Sequence, residues 1–244
     1  MPRTARLGSI LAIGAILALS GCAGTADAES APAPTPTAPA SPASSPAPST
    51  SATATAADPD PLAGVVALVV RPQTLELRDA AGGVVDSLDY MSDPAESIAV
   101  LTDLFDEPPV VEPYEGTNHT PPGTFHSWGD LVVDERHYDE ERREGHALDY
   151  VWPRFAVYFD GPDAGGLELS SEQGFHATDD WTSLAGDPVF DAALWTCVGV
   201  PVETLELTRP DERAETATVV ATASEDETTV EWLGAPVMIA DGCA

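Results

Sequence analysis

The sequence contains no lysine: all ten of its Lys+Arg residues are arginine. Schiff-base chemistry, pyridoxal attachment and a phosphate-loop lysine are therefore excluded together. Basic residues are scarce altogether, ten against 41 Asp+Glu, which gives a formal net charge of −31. A field of that sign repels nucleic acid and anionic lipid headgroups, so neither is expected as a partner. Cationic ligands and divalent metals remain compatible with it, although the plainest reading is a solvated acidic surface outside the cytoplasm. Cysteine is sparse as well, with three residues and no Cys-x-x-Cys, and a reactive thiol would need a positive microenvironment that this chain hardly offers. There is no Gly-x-Ser-x-Gly elbow, no glycine-rich phosphate loop, and no His-x-x-x-His or His-Glu-x-x-His pair, so the common hydrolase, nucleotide and zinc signatures are missing.

What is present starts at the N-terminus. Arg3 and Arg6 form a short positive region, and Leu7 to Leu19 is an apolar run too short to span a bilayer as a helix of ~20 residues. It leads into Leu19-Ser20-Gly21-Cys22, an aliphatic residue, two small ones and a cysteine, which resembles the lipobox of bacterial lipoproteins. The resemblance implies removal of residues 1–21 and a diacylglycerol thioether on Cys22. Acyl chains of the palmitate kind would then hold the protein on the extracytoplasmic face of the cell membrane, and two or three chains make such an anchor durable. Cleavage takes two arginines and no acid, leaving a formal charge of −33. Abundant Ala, Pro, Gly and Arg without Lys fits a GC-rich, actinobacterial lipoprotein.

From Cys22 to position 61 the chain is Ala, Pro, Ser and Thr with scattered acids. Such composition offers little to bury and predicts a disordered, semi-extended tether, with a reach on the order of 100 Å if fully polyproline-II. The folded domain is expected over residues 62–244. Its pattern predicts α+β architecture: mainly antiparallel sheet, one or two covering helices and one C-terminal disulfide. Residues 65–90 read as a strand and hairpin at the domain's edge. Asp93-Pro94-Ala95-Glu96 supplies an N-cap, an N1 proline and a capping-box acid, and Ile98, Leu101, Leu104 and Phe105 form one apolar stripe that Pro108 and Pro109 terminate. Strand segments are expected at 124–128 and 131–133, followed by a solvated loop or short helix over 134–144. Phe155, Val157 and Phe159 mark the best central strand. Further strands are expected at 167–169, 202–208, 216–223 and 228–233, with 237–239 set off by Pro236. A short helix capped by Thr178 should carry Trp181 and Leu184 inward and stop at Gly186. Leu-Glu-Leu recurs at 75–77, 167–169 and 205–207, without an established period.

Outside the cytoplasm the two remaining cysteines, Cys197 and Cys243, are expected to pair. That disulfide would stabilise the domain by ~4 kcal/mol in the chain-entropy model.

Candidate chemistry concentrates in one segment: Glu112, Glu115, His119, His126, Asp130, Asp134, His137, Asp139 and His146. Imidazole with carboxylate suits zinc and similar divalent ions, which makes His119, His126 and His137 the candidate metal ligands. No catalytic residue stands out. Asp179-Asp180 and Glu225-Asp226-Glu227 are carboxylate groupings of the kind acid–base hydrolysis uses. Three functional classes follow: a surface binding or interaction module facing a cell-wall or surface protein, a metal- or solute-capturing lipoprotein, and a cell-wall hydrolase. The first is favoured, because a long tether carrying a small disulfide-closed sheet domain describes a presented scaffold.

Overall fold

Residues 60–117, 120–141, 153–187, 198–208 and 214–239 are described by the computed structural model. They belong to the second of two units of the chain, Met1–Thr55 and Ala56–Ala244. Cys22, Cys197, Cys243, His119 and His146 lie outside the described residues, and so do the expected signal peptide, almost all of the tether, and the disulfide.

The described residues form two sheets and two helices around one core. Alternation in Thr74-Leu75-Glu76-Leu77 puts Leu75 and Leu77 fully inside and leaves Glu76 on the opposite face. This strand, β2 (Thr74–Asp79), lies between β1 (Val65–Val70) and β3 (Val84–Asp89). The full order of the first sheet is β3-β2-β1-β9-β8, with β8 at Asp163–Ala164 and β9 at Leu167–Ser171. β1 is thus the middle strand and not an edge, because β9 pairs parallel to its other side. The continuous apolar run of β1 is what a strand with two neighbours and a covered face requires.

The second sheet is antiparallel throughout, in the order β10-β11-β12-β7-β6-β5-β4. Its strands are β4 (Val110–Tyr114), β5 (Gly123–Trp128), β6 (Leu131–Arg136), β7 (Phe155–Phe159), β10 (Val200–Thr208), β11 (Ala214–Ala223) and β12 (Val230–Ile239). β7 is central, as its pattern predicts, with Phe155, Val157 and Phe159 buried. Three expectations change here. The 134–144 segment is strand through Arg136 and then helical at 140–141, the last of it described; β4 was not foreseen among the prolines that surround it; and β12 continues through Pro236 with a register shift against β11 there. The β5–β6 turn is tight enough to need Gly129 at φ 59°.

Helix α1 (Pro94–Phe105) starts as its sequence dictates: the Asp93 carboxylate accepts from the Ala95 N–H at 3.0 Å, and Pro94 sits at the first position. Its apolar stripe buries Leu101 completely and lays Phe105 on Trp128, ring centroids 5.7 Å apart. Helix α2 (Trp181–Ala185) is capped by Asp180, whose carboxylate accepts from the Ser183 N–H. Thr178, the expected cap, is instead a turn residue at φ 75°. Side chains from both sheets and both helices join one hydrophobic cluster, including Leu68, Leu101, Phe155, Leu184 and Leu233. The architecture is α+β and mostly antiparallel sheet. Two of the Leu-Glu-Leu segments fall on β2 and β9, either side of β1, and the third lies on β10 of the other sheet. In each half an Asp-capped helix precedes an antiparallel meander, β4–β5–β6 and β10–β11–β12.

Candidate functional site

Strand alternation decides where the predicted metal ligands go. On β5 and β6, Leu131, Val133 and Trp128 face the core, so His126 and Glu135 share that side, while Phe125 and Asp134 occupy the outer face. Two of the three candidate histidines do meet, on a carboxylate the sequence did not single out. His126 Nε2 lies 2.7 Å from Glu135 Oε2, and His137 Nε2 lies 3.5 Å from Glu135 Oε1 and 3.5 Å from Thr124 Oγ1. The glutamate separates the imidazoles, and among the described residues no three His, Cys, Asp or Glu side chains are arranged to hold a metal ion. His126 Nδ1 is buried without a hydrogen-bond partner. Of the other acids in that segment, Glu112 and Glu115 are exposed at β4, and Asp130 is in the β5–β6 turn at the far end of the strands.

The outer face of the same strands carries a cluster that sequence reasoning missed. Asp134 is only 4 % exposed. Its Oδ1 accepts from the Tyr114 hydroxyl at 2.7 Å and its Oδ2 from Arg136 Nε at 3.2 Å. Burial, followed by the hydrogen bond to Asp134, pushes the Tyr114 pKa upward. Burial works to lower the Arg136 pKa, but Tyr158, Asp134 and Tyr138 around it hold it above its ordinary value. Tyr114 reaches Asp134 because Gly123 has no side chain: a Cβ there would collide with the Glu135 carbonyl and the Tyr114 ring. Tyr114 also stacks on Phe125 at 4.7 Å, and Tyr158 meets Trp232 edge-on at 5.4 Å. The signal was available in the alternation of Val132, Asp134 and Arg136 against Leu131, Val133 and Glu135, which reads as a strand once its charges are allowed to lie on a covered face.

A second charged group joins the two sheets. Arg71 follows β1 and binds Glu203 on β10 through Nε at 3.0 Å and Nη2 at 2.9 Å. Its Nη1 reaches Glu76 at 3.0 Å and Glu172 at 3.3 Å, and Arg78 pairs with the same two glutamates. An open recess of about 200 Å³ lies beside it, lined by Arg71, Gln73, Thr74, Glu76, Glu203 and Leu205 among others. All four described arginines are thus held by carboxylates of the chain itself, since Arg154 pairs with Glu140 at 2.9 Å.

The adjacent acids considered for hydrolysis have local duties. Asp179 accepts from the His176 N–H at 2.8 Å, Asp180 caps α2, and Asp226 accepts from Ser224 Oγ and Thr228 Oγ1 across the β11–β12 turn. Hydrogen bonds lower the pKa of Asp180, from Thr182 first, and of Asp226, from Thr228 first. The opposite shift occurs at Asp160. Although the residue is exposed as a whole, partial burial of its carboxyl, then the charges of Asp130 and Glu231, raise its pKa.

The remaining feature is at the sheet edges. Among the described residues, five of the seven exposed large hydrophobics lie on strands that end a sheet: Val84 and Val85 on β3, Val110 and Val111 on β4, and Leu205 on β10. Val110 is 72 % exposed and Val111 56 %. No helix among the described residues is long and apolar enough to cross a membrane. Comparison of the chain with protein-family models, curated proteins and solved structures finds no match.

Proposed function

We propose that the chain is a lipid-anchored, extracytoplasmic binding module. Cys22 carries the acyl chains, residues 22–61 serve as the spacer, and the sheet domain engages a cell-wall or surface protein partner. A Cys197–Cys243 disulfide holds the C-terminus to the body. The observation that carries the binding reading is the placement of the exposed apolar residues. They gather on the terminal strands of two sheets, where the backbone as well as the side chain can be engaged.

Metal or solute capture is the second reading, favoured by the meeting of His126 and His137 on Glu135. A cell-wall hydrolase is third, with Asp130 and Asp160, whose charges act on one another, as its carboxylates.

The test uses the full chain in its native cell type. Labelled palmitate is expected to enter the wild-type protein and not Cys22→Ser, which should appear in the medium. A photo-crosslinker at Val110 should then trap a discrete surface partner from the membrane-bound protein. Turnover of a cell-wall polymer by the purified chain, or labelling and membrane retention that survive Cys22→Ser, would sink the reading.

A further inference from the structure

The outer edge of β4, which no described strand pairs, has an unusual hydrogen-bonding balance. Pro113 pairs with Thr124 in a β4–β5 ladder whose register runs without interruption from Val110–Ser127 to Tyr114–Gly123. Proline fits such a ladder only where its nitrogen faces away from the neighbouring strand. Val111, two residues earlier, has the same orientation, so its N–H and C=O both point off the sheet. Pro109, just before the strand, continues that parity. Between Pro109 and Pro113 the edge therefore presents carbonyl acceptors with a single N–H donor, that of Val111.

The surroundings have matching chemistry. Asp106, Glu107, Glu112 and Glu115 are all exposed on or beside β4. No described arginine lies on β4 or β5, and each described arginine is held elsewhere. Val110 projects from the outer face and Val111 from the inner, which gives one apolar contact on each side of the edge. A strand added here must bring donors to an acceptor-rich backbone, positive charge to four carboxylates, and apolar side chains to two valines. A second copy of this chain brings the same acceptors and the same negative charge, and it is repelled.

Resting on the binding-module reading, we infer that the outer edge of β4 docks an extended, Lys/Arg-bearing peptide segment of a partner protein.

The experiment uses the full-length acylated chain in neutral detergent micelles and a fluorescent peptide of alternating valine and lysine, with a valine–glutamate peptide as control. The lysine peptide is expected to bind and the glutamate peptide not to. Val111→Pro removes the one outward donor and leaves the bonds to β5 in place. It should weaken binding about tenfold, the effect of one lost hydrogen bond of ~1.4 kcal/mol, with an unchanged melting temperature. The pair Glu112→Gln and Glu115→Gln, which disturbs no backbone, should weaken binding several-fold and flatten its salt dependence. Removing two charges far away, Glu225→Gln and Glu227→Gln, should change little. Equal binding by Val111→Pro, or equal losses from the near and the remote charge removals, would show a diffuse electrostatic attraction and overturn the assignment. Concentration-dependent dimerisation abolished by Val111→Pro would assign the edge to a second copy instead. No binding of the lysine peptide rejects this partner class alone, because cross-linking to some other surface partner would still uphold the binding module.

Discussion

Two of the places where the described residues tie arginine to carboxylate differ in redundancy. At the seam between the sheets, Arg71 and Arg78 share Glu76 and Glu172, and Arg71 also holds Glu203, so either arginine keeps a partner when one glutamate is lost. On the outer face of the second sheet, a single nearly buried carboxylate, Asp134, serves both Arg136 and Tyr114. The first arrangement degrades gradually. At the second, loss of Asp134 leaves Arg136 its hydrogen bond with Tyr158 but takes away its counter-ion, and a charge left unpaired in a covered site costs far more than a partly wet one.

The sharpest way to break the comparison is Asp134→Ala, which strands Arg136. It is expected to lower unfolding free energy by about 3–5 kcal/mol in urea titrations, whereas Asp134→Leu with Arg136→Met should recover most of that loss. A loss no larger than that of Glu76→Ala would erase the distinction. Next in size is Tyr114→Phe, which removes one of two donors to Asp134 and should cost about 1–2 kcal/mol. At the seam, Arg71→Met should cost about 1 kcal/mol, and the loss should shrink further in 1 M salt, which an outer-face variant should not show. The smallest effect has the opposite sign. The Asp160 pKa is raised in the folded state, so its favourable contribution is complete below the unfolded value near ~4 and is lost as pH rises through the folded value. Asp160→Asn should accordingly raise the melting temperature slightly at pH 7, with the advantage over wild type vanishing as pH falls below ~4. An advantage that persists in acid would point to a cause other than ionisation.

Local rules made part of this fold legible. Asp93, Pro94 and the Ile98–Phe105 stripe define α1 almost to the residue, and Phe155, Val157 and Phe159 announce a central strand, because caps and period-two alternation are near-neighbour properties. Asp134, Glu135 and Arg136 defeated the same reasoning. Their charge reads as solvent exposure, yet their partners Tyr114, His126 and Gly123 come from other strands, and no local pattern reports such pairing. The histidines show the same limit from the other side. The gathering of histidines and acids in one segment offered His119, His126 and His137 as ligands, but alternation and register brought His126 and His137 to Glu135. The Asp180 and Asp226 carboxylates, considered for acid–base work, are consumed by turns and a helix cap, the ordinary use of aspartate beside Ser and Thr.

The strand order of the second sheet also sets a schedule. Its two halves, β10–β11 and β4–β7, are joined by β12, and β12 is the last strand among the described residues. Until residues 230–239 have emerged, the meander and the hairpin share no ladder, so nucleation is nonlocal and closure slow. On the proposed export of the chain, late closure would keep it translocatable. A copy cut short before β12 would present two half-sheets with open edges, and so be a substrate for proteases.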